Sequence, residues 1–383
     1  MNIYENTIDK ITPQSPGNGG KVSGRDLPSM DDPFAWPEEL RDFLKNIKSH
    51  YTLADFMKYL DGIGSLSVLV VGETIIDEYC YCETIGKSGK EPILAARYIS
   101  SEKFAGGVLA IANHVANFCG DVGVLSFLGA ADSGQELIDS KLNPRIKKHF
   151  LYIENEPTLT KKRYVEIYPL QKLFEVYIMN NCSEPPSCGQ GLCEALEQLL
   201  PQYDVVIVAD YGHGMIDSHA VDILCKRSGF LAVNTQVNAE NRGFNTISKY
   251  HRADYICISE SEIRLEARSR TKEIQNIISD VSKKLSCPNL LITQGQAGCL
   301  NYRKESGFCK SPAFIQHYID RIGAGDAVLG ITSPLVHKNM PPEMLGFVGN
   351  IIGALAVGVM GNKEPVRKDH LIKYLEHLLE IQA

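Results

Sequence analysis

Six short, nearly unbroken apolar runs recur along the chain. They are SVLVVG from Ser67, VGVLSFLG from Val122, DVVIVADYG from Asp204, LAVNTQ from Leu231, DYICIS from Asp254 and NLLITQG from Asn289. A strand with one face in water alternates apolar and polar residues, whereas a strand buried on both faces does not. Helical patterns separate most of these runs. Strand, helix and strand in repetition predict an α/β protein, a three-layer α/β/α sandwich around a mostly parallel central sheet.

Two stretches break that rhythm. Residues 79–104 and 158–180 alternate, carry β-branched and aromatic side chains, and turn through Gly or Pro. They predict antiparallel hairpins. Inserted into a parallel α/β protein, such hairpins form either a small lid over a site or a plain extension of the sheet edge.

The ends of the chain differ from its middle. Residues 1–33 are polar, with Pro, Gly, Ser and Asp and little apolar periodicity, and predict a partly disordered tail. Residues 34–64 place Leu40, Phe43, Leu44 and Ile47, then Phe56, Met57 and Leu60, at helical spacing. This helical lead segment packs on the main domain, residues 65–383, or on a partner subunit. Late in the chain MLGFVGNIIGALAVGVMG is apolar nearly all round and predicts a buried helix. DHLIKYLEHLLEIQ predicts an amphipathic one.

Composition narrows the function classes. A net charge of -7 gives no basic excess to bind nucleic acid, and no run of about 18 apolar residues spans a membrane. The opening residues lack a secretory apolar core, and the 11 cysteines are odd in number. The expected setting is a reducing cytoplasm. Neither Cys80 with Cys82 nor Cys182, Cys188 and Cys193 has the paired spacing of a zinc site.

The chemistry concentrates in DRIGAGDAVLG, residues 320–330. A glycine-rich turn before a helix exposes backbone N–H groups that have no intrahelical partner, and the helix dipole favours an anion there. Asp326 then falls in the first turn. A carboxylate beside an anion cradle is suited to taking a proton from a hydroxyl that attacks the anion. Cradle and base together suffice for phosphoryl transfer to an alcohol. The plainer alternative is an Asp cap on a buried helix with glycines for the turn. Ser333-Pro334 predicts that this helix is short or kinked.

The segment resembles the Asp-Thr-x-Gly-Ala-Gly-Asp signature of the ribokinase-like (PfkB) carbohydrate kinases. That resemblance implies Asp326 as catalytic base and the amides of Gly323, Ala324 and Gly325 as anion hole. Arg321 stands where Thr is usual. VVGETIIDEY looks like the family's first strand, which implies that Asp77 contacts sugar hydroxyls. FAGGVLAIANHVANF resembles its Gly-Gly motif at Gly106 and Gly107, with Ala110 in the place of the usual Asn. Asn113 is nearby on another helical phase. ISESEIRLE resembles the Asn-x-x-Glu motif, with Ser259 for Asn, and implies that Glu262 helps organise Mg²⁺ indirectly. TQGQAG is similar to the nucleotide-binding turn, implying Thr293, Gly295 and Gly298, and Asn350 falls where a late helix approaches the adenine. The implied cofactors are ATP and Mg²⁺, with a monovalent cation left open.

Within the family, the heptose-7-phosphate kinase branch has similar text, including DYGHGMI, where His213 replaces a usual Lys. That resemblance implies ATP-dependent phosphorylation of a sugar or sugar phosphate. Lys161 and Arg163, which alternation puts on one strand face, are candidates for the substrate's own phosphate; the alternative is a solvated basic strand. A free-sugar or nucleoside kinase, and a non-catalytic sugar- or nucleotide-binding regulator, remain as rivals. A dinucleotide oxidoreductase is disfavoured, because the first strand lacks G-x-G-x-x-G. Exposed lid edges invite pairing with a second copy, so a homodimer is expected.

Overall fold

The computed structural model describes residues 36–179, 189–239, 241–314 and 318–380. The predicted tail, Cys182 and Cys188 lie outside them. In chain order the elements are α1 (Glu38–His50), α2 (Leu53–Gly62), β1 (Ser67–Gly72), β2 (Thr74–Lys87), β3 (Leu94–Gly107), α3 (Val108–Val115), β4 (Asp121–Gly129), α4 (Gln135–Lys141) and β5 (Lys147–Ile153). There follow β6 (Thr160–Glu166), β7 (Gln171–Ile178), α5 (Gly189–Leu199), β8 (Val205–Asp210), α6 (Ser218–Arg227), β9 (Leu231–Thr235), β10 (Tyr255–Ser259), α7 (Glu260–Glu266) and α8 (Ile274–Lys284). The last are β11 (Asn289–Thr293), β12 (Cys299–Arg303), β13 (Gly307–Ser311), α9 (Ala324–His337), α10 (Pro342–Val357) and α11 (Lys368–Glu380).

All six apolar runs form strands of one nine-stranded sheet, ordered β13-β12-β11-β10-β9-β8-β1-β4-β5. Neighbours from β11 to β5 pair parallel, and β12 and β13 add antiparallel at one edge. Strand alternation divides the core in two. Val68, Val70, Ile207 and Cys257 face the cluster built with α1, α2, α3, α9, α10 and α11. Leu69, Val71, Val208 and Ile258 face the cluster built with α5, α6, α7 and α8. The sheet is thus covered on both faces, which is why its strands read as unbroken apolar runs.

Both hairpins form, and they join. The lid is a four-stranded sheet ordered β3-β2-β6-β7, in which β2 and β6 pair parallel between two antiparallel hairpins. The first is longer than residues 79–104, and its opening strand carries Asp77. That residue therefore belongs to the lid and not to the first strand of the central sheet, because β1 ends at Gly72.

The lead helices pack on the main domain. Leu44, Ile47, Phe56 and Leu60 are fully buried in its core, and Phe56 lies 5.4 Å from Phe347 of α10. The expectation of a short helix after Asp326 is corrected: α9 runs 14 residues with Pro334 inside it. Pro334 falls in the last turn, where the ring disturbs only one upstream hydrogen bond. Thr332 and Ser333 turn their hydroxyls back onto the carbonyls of Val328 and Leu329 at 2.6 Å.

Candidate active site

The glycine turn before Asp326 opens a helix, as its composition predicts. Gly323 caps α9 in the left-handed region at φ 82, where a Cβ would lie 2.0 Å from Oδ1 of Asn362. The main chain can hold this turn only without a side chain there. Asp326 follows in the first helical turn, beside the N–H groups that open α9. Its Oδ1 accepts the Tyr211 hydroxyl at 2.8 Å. Burial pushes its carboxyl up to about 6; Asp77 and Glu262 push the same way, while the Tyr211 hydrogen bond and Lys161 oppose them.

Asp326 lines a cavity of about 910 Å³ together with Glu262, Thr293, Gly295, Gly298, Ala324, Gly325 and Asn350. The sequence motifs read for nucleotide and metal thus meet the anion turn in one room. Gly298 sits at φ 89, and a Cβ would lie 2.1 Å from the Ser311 carbonyl, so the turn after β11 requires glycine. Asn350 reaches the wall, but its Nδ2 donates to the carbonyls of Ser311 and Gly346 at 3.1 and 3.0 Å. Ser259 and Glu262 form a capping box on α7: the Ser259 N–H donates to Glu262 Oε2 at 2.7 Å and Val237 N–H to its Oε1 at 3.3 Å. Both carboxylate oxygens are occupied, so Glu262 fits an indirect role toward a metal rather than direct ligation. Arg321, in the unusual place, stacks over Tyr318 at 4.0 Å on the cavity rim.

The residues read for the acceptor gather on the lid strands β2, β3 and β6. Asp77, Lys161 and Arg163 are all buried. The strand alternates as predicted, with Lys161, Arg163 and Val165 inward. Arg163 is already paired in this structure. It is hydrogen-bonded to Asp77 and also meets Glu175 at 3.3 Å, so its charge is committed to carboxylates. Lys161 instead stands over the Tyr177 ring at 4.9 Å, and burial holds its ammonium below the usual lysine range. Gly106 lets the backbone approach Asp77, since a Cβ would lie 2.2 Å from Oδ2; at Gly107, φ 57, it would lie 2.4 Å from the Glu73 carbonyl. Asn113 bridges Lys141 and Asn143 at 3.0 and 2.8 Å, and Ala110 is core. A second cavity, of about 230 Å³, opens beside this region between Glu73, Thr158, His213 and Met215.

Several contributors were not read from sequence. Glu73 is buried and accepts the N–H groups of Tyr211 and His213, both at 3.0 Å. Burial and the neighbouring Asp210 raise its carboxyl to about 7. Asp320 joins lid to turn: it accepts the Tyr79 hydroxyl at 2.6 Å and the Gly361 N–H at 3.0 Å, and pairs with Lys172 of β7. Only the Gly212 positions around Tyr211 hinted at function, through the DYGHG text.

A model described as the pfkB family carbohydrate kinase matches residues 65–369. Among curated proteins, the chain is 25% identical over 312 residues to the Bifunctional protein HldE of Koribacter versatilis, covering 81% of this chain and 63% of that protein. It is 24% identical over 326 residues to that of Actinobacillus pleuropneumoniae serotype 5b, covering 84% and 66%. The chain therefore spans about two thirds of the length of these relatives. Among solved structures, a putative ribokinase from Agrobacterium tumefaciens superposes with TM-score 0.66 at 14% identity, covering 83% of this chain and all of that one. Ribokinase from Thermotoga maritima gives 0.63 at 18%, covering 81% and 99%. These likenesses show the ribokinase fold. The chain belongs to the PfkB family of carbohydrate kinases, phosphotransferases with an alcohol group as acceptor.

Proposed function

We propose that this chain transfers the γ-phosphate of ATP to a hydroxyl of a sugar or sugar phosphate in the cytoplasm, with a heptose 7-phosphate as the first acceptor to test. The observation that carries the reading is Asp326, in the first turn of α9, facing a cavity large enough for a nucleotide. The nucleotide occupies that cavity, with its terminal phosphate against the amides of Gly323, Ala324 and Gly325. Asp326 takes the acceptor's hydroxyl proton as the oxygen bonds to phosphorus. The bond from phosphorus to the bridging oxygen breaks, ADP leaves, and the proton passes to water. The positive end of α9 offsets charge on the transferred group.

Mg²⁺ would screen the nucleotide phosphates. Among the described residues no group of three or more His, Cys, Asp and Glu forms a metal cage. Its coordination would therefore rest on phosphates and water, with Glu262 acting through that water. On the acceptor side, Asp77 binds sugar hydroxyls and Lys161 meets a substrate phosphate. Arg163 orients Asp77. The lid closes water out.

The pairing of Arg163 favours one rival, a free-sugar kinase, since it leaves Lys161 as the principal cation for a phosphate. A screen of ADP release with ATP and Mg²⁺ across heptose 7-phosphates, hexose phosphates, free sugars and nucleosides separates these readings. Turnover confined to phosphorylated sugars, with KM raised by Lys161→Ala, supports the sugar phosphate. Turnover of free sugars with unchanged KM in that variant supports the rival. Calorimetric binding without any turnover supports a regulator.

The lid's outer face carries Leu94, Tyr98 and Ile99 on β3 and Phe174 and Val176 on β7, all exposed. A second copy of the chain covers this apolar face, giving a homodimer through the lids.

A further inference from the structure

Tyr211 follows β8, 115 residues from Asp326 in sequence, and is restrained to an unusual degree. Its N–H donates to Glu73 Oε2 at 3.0 Å. Its carbonyl accepts Nδ2 of Asn238 at 2.9 Å and of Asn241 at 2.8 Å. Those two asparagines lock each other, each backbone N–H donating to the other's Oδ1 at 2.9 Å. The Tyr211 ring is 2% exposed. Backbone fixed on both sides and ring buried leave the hydroxyl one place to go, which is Oδ1 of Asp326.

We propose that Tyr211 is a positioning residue for the base: it holds the Asp326 carboxylate by Oδ1, so that Oδ2 is presented to the acceptor hydroxyl in an ionised state. Asn238 and Asn241, which touch no acceptor in the reading above, thereby gain a purpose in clamping Tyr211. The inference rests on the kinase reading for the role of Asp326, but its central measurement does not.

The charges around Asp326 explain why such a donor is needed. Asp77 of β2, Glu262 of α7 and Glu73 between β1 and β2 are acidic; Lys161 of β6 is the basic group facing it, Cys257 of β10 lies behind, and Arg321 is on the cavity rim. Burial and the acidic neighbours favour the protonated carboxyl, which cannot accept a proton from an alcohol. A hydrogen bond donated to the charged form opposes them. The phenol itself is held far above its ordinary range by burial and by Asp326, so it donates without ionising.

The test follows the Asp326 carboxyl by ¹³C NMR of the aspartate-labelled full chain, assigned by comparison with Asp326→Asn. Tyr211→Phe shifts its titration upward by about one pH unit. Asn241→Ala, which keeps the hydroxyl and slackens its anchor, gives a smaller upward shift and carries the test if Tyr211→Phe does not fold. With an acceptor found in the screen, Tyr211→Phe lowers kcat about twofold at pH 7 and about tenfold near pH 5, leaves both KM values unchanged, and recovers as pH is raised. A screen without turnover defeats the kinase reading while the titration still judges this one. An unmoved titration, or a kcat loss that no rise in pH restores, overturns it.

Discussion

The two sides of the cleft are built on opposite plans. The nucleotide side is an open room of about 910 Å³, walled by glycine turns and strand ends whose polar groups are satisfied by backbone. The acceptor side is crowded: Asp77, Lys161 and Arg163 line neither that room nor the 230 Å³ cavity beside it, and Asp77 and Arg163 hold each other on the lid strands β2 and β6. The first side is ready for a ligand shared by a whole family. In the function proposed above, the second exchanges partners when an acceptor enters. Asp326 stands between the two, bound to Tyr211 and responsive to Asp77 and Lys161.

Breaking the acceptor side first gives the largest expected effect on stability. Asp77→Asn leaves the buried Arg163 with only the partly exposed Glu175, and should cost about 3 kcal/mol in denaturant unfolding while ATP affinity stays unchanged. An unaltered midpoint would mean that the pair does not hold the lid side together. The next effect depends on pH. Glu73 is raised from 4.5 to about 7 in the folded chain, so the native state binds more protons than the unfolded one between those values. Its contribution to stability is therefore present at acid pH and lost as pH rises through about 7. Glu73→Gln should flatten that decline at a pH-independent cost of about 1 kcal/mol, since its amide nitrogen cannot accept one of the two backbone N–H groups. A decline of unchanged slope would place the titration on another group.

The smallest effect probes the nucleotide side. Phe43 of α1 lies 6.5 Å from Phe314, which lines the large cavity, and 6.2 Å from Phe347. Phe43→Ala should raise the KM for ATP about threefold, with the acceptor's KM unchanged, since loss of a ring contact of about 1 kcal/mol loosens one wall only. Equal changes in both KM values would show that the two sides are not independent.

The sequence exposed these two plans unequally. The central strands were legible because burial on both faces removes polar residues from a run, and the GAGD turn because a backbone in the left-handed region needs glycine. Both signals are local. The edge strands β12 and β13 were missed, since CLNYR is short and broken by a buried Asn301, and GFCKS is short and partly exposed. The parallel joining of β2 to β6 was also missed, since alternation reports a strand's faces and not its neighbour. Above all, the partner of a buried polar side chain leaves no periodic trace. Arg163 finds Asp77 across 86 residues and Tyr211 finds Asp326 across 115.

The most direct trial of the account is Asp326→Asn, assayed for acceptor-dependent ADP release beside calorimetric ATP binding on the same protein. The account predicts a fall in kcat of about a thousandfold with the ATP dissociation constant unchanged, because the amide cradle survives while the proton acceptor is gone. Turnover equal to that of the parent chain would contradict it.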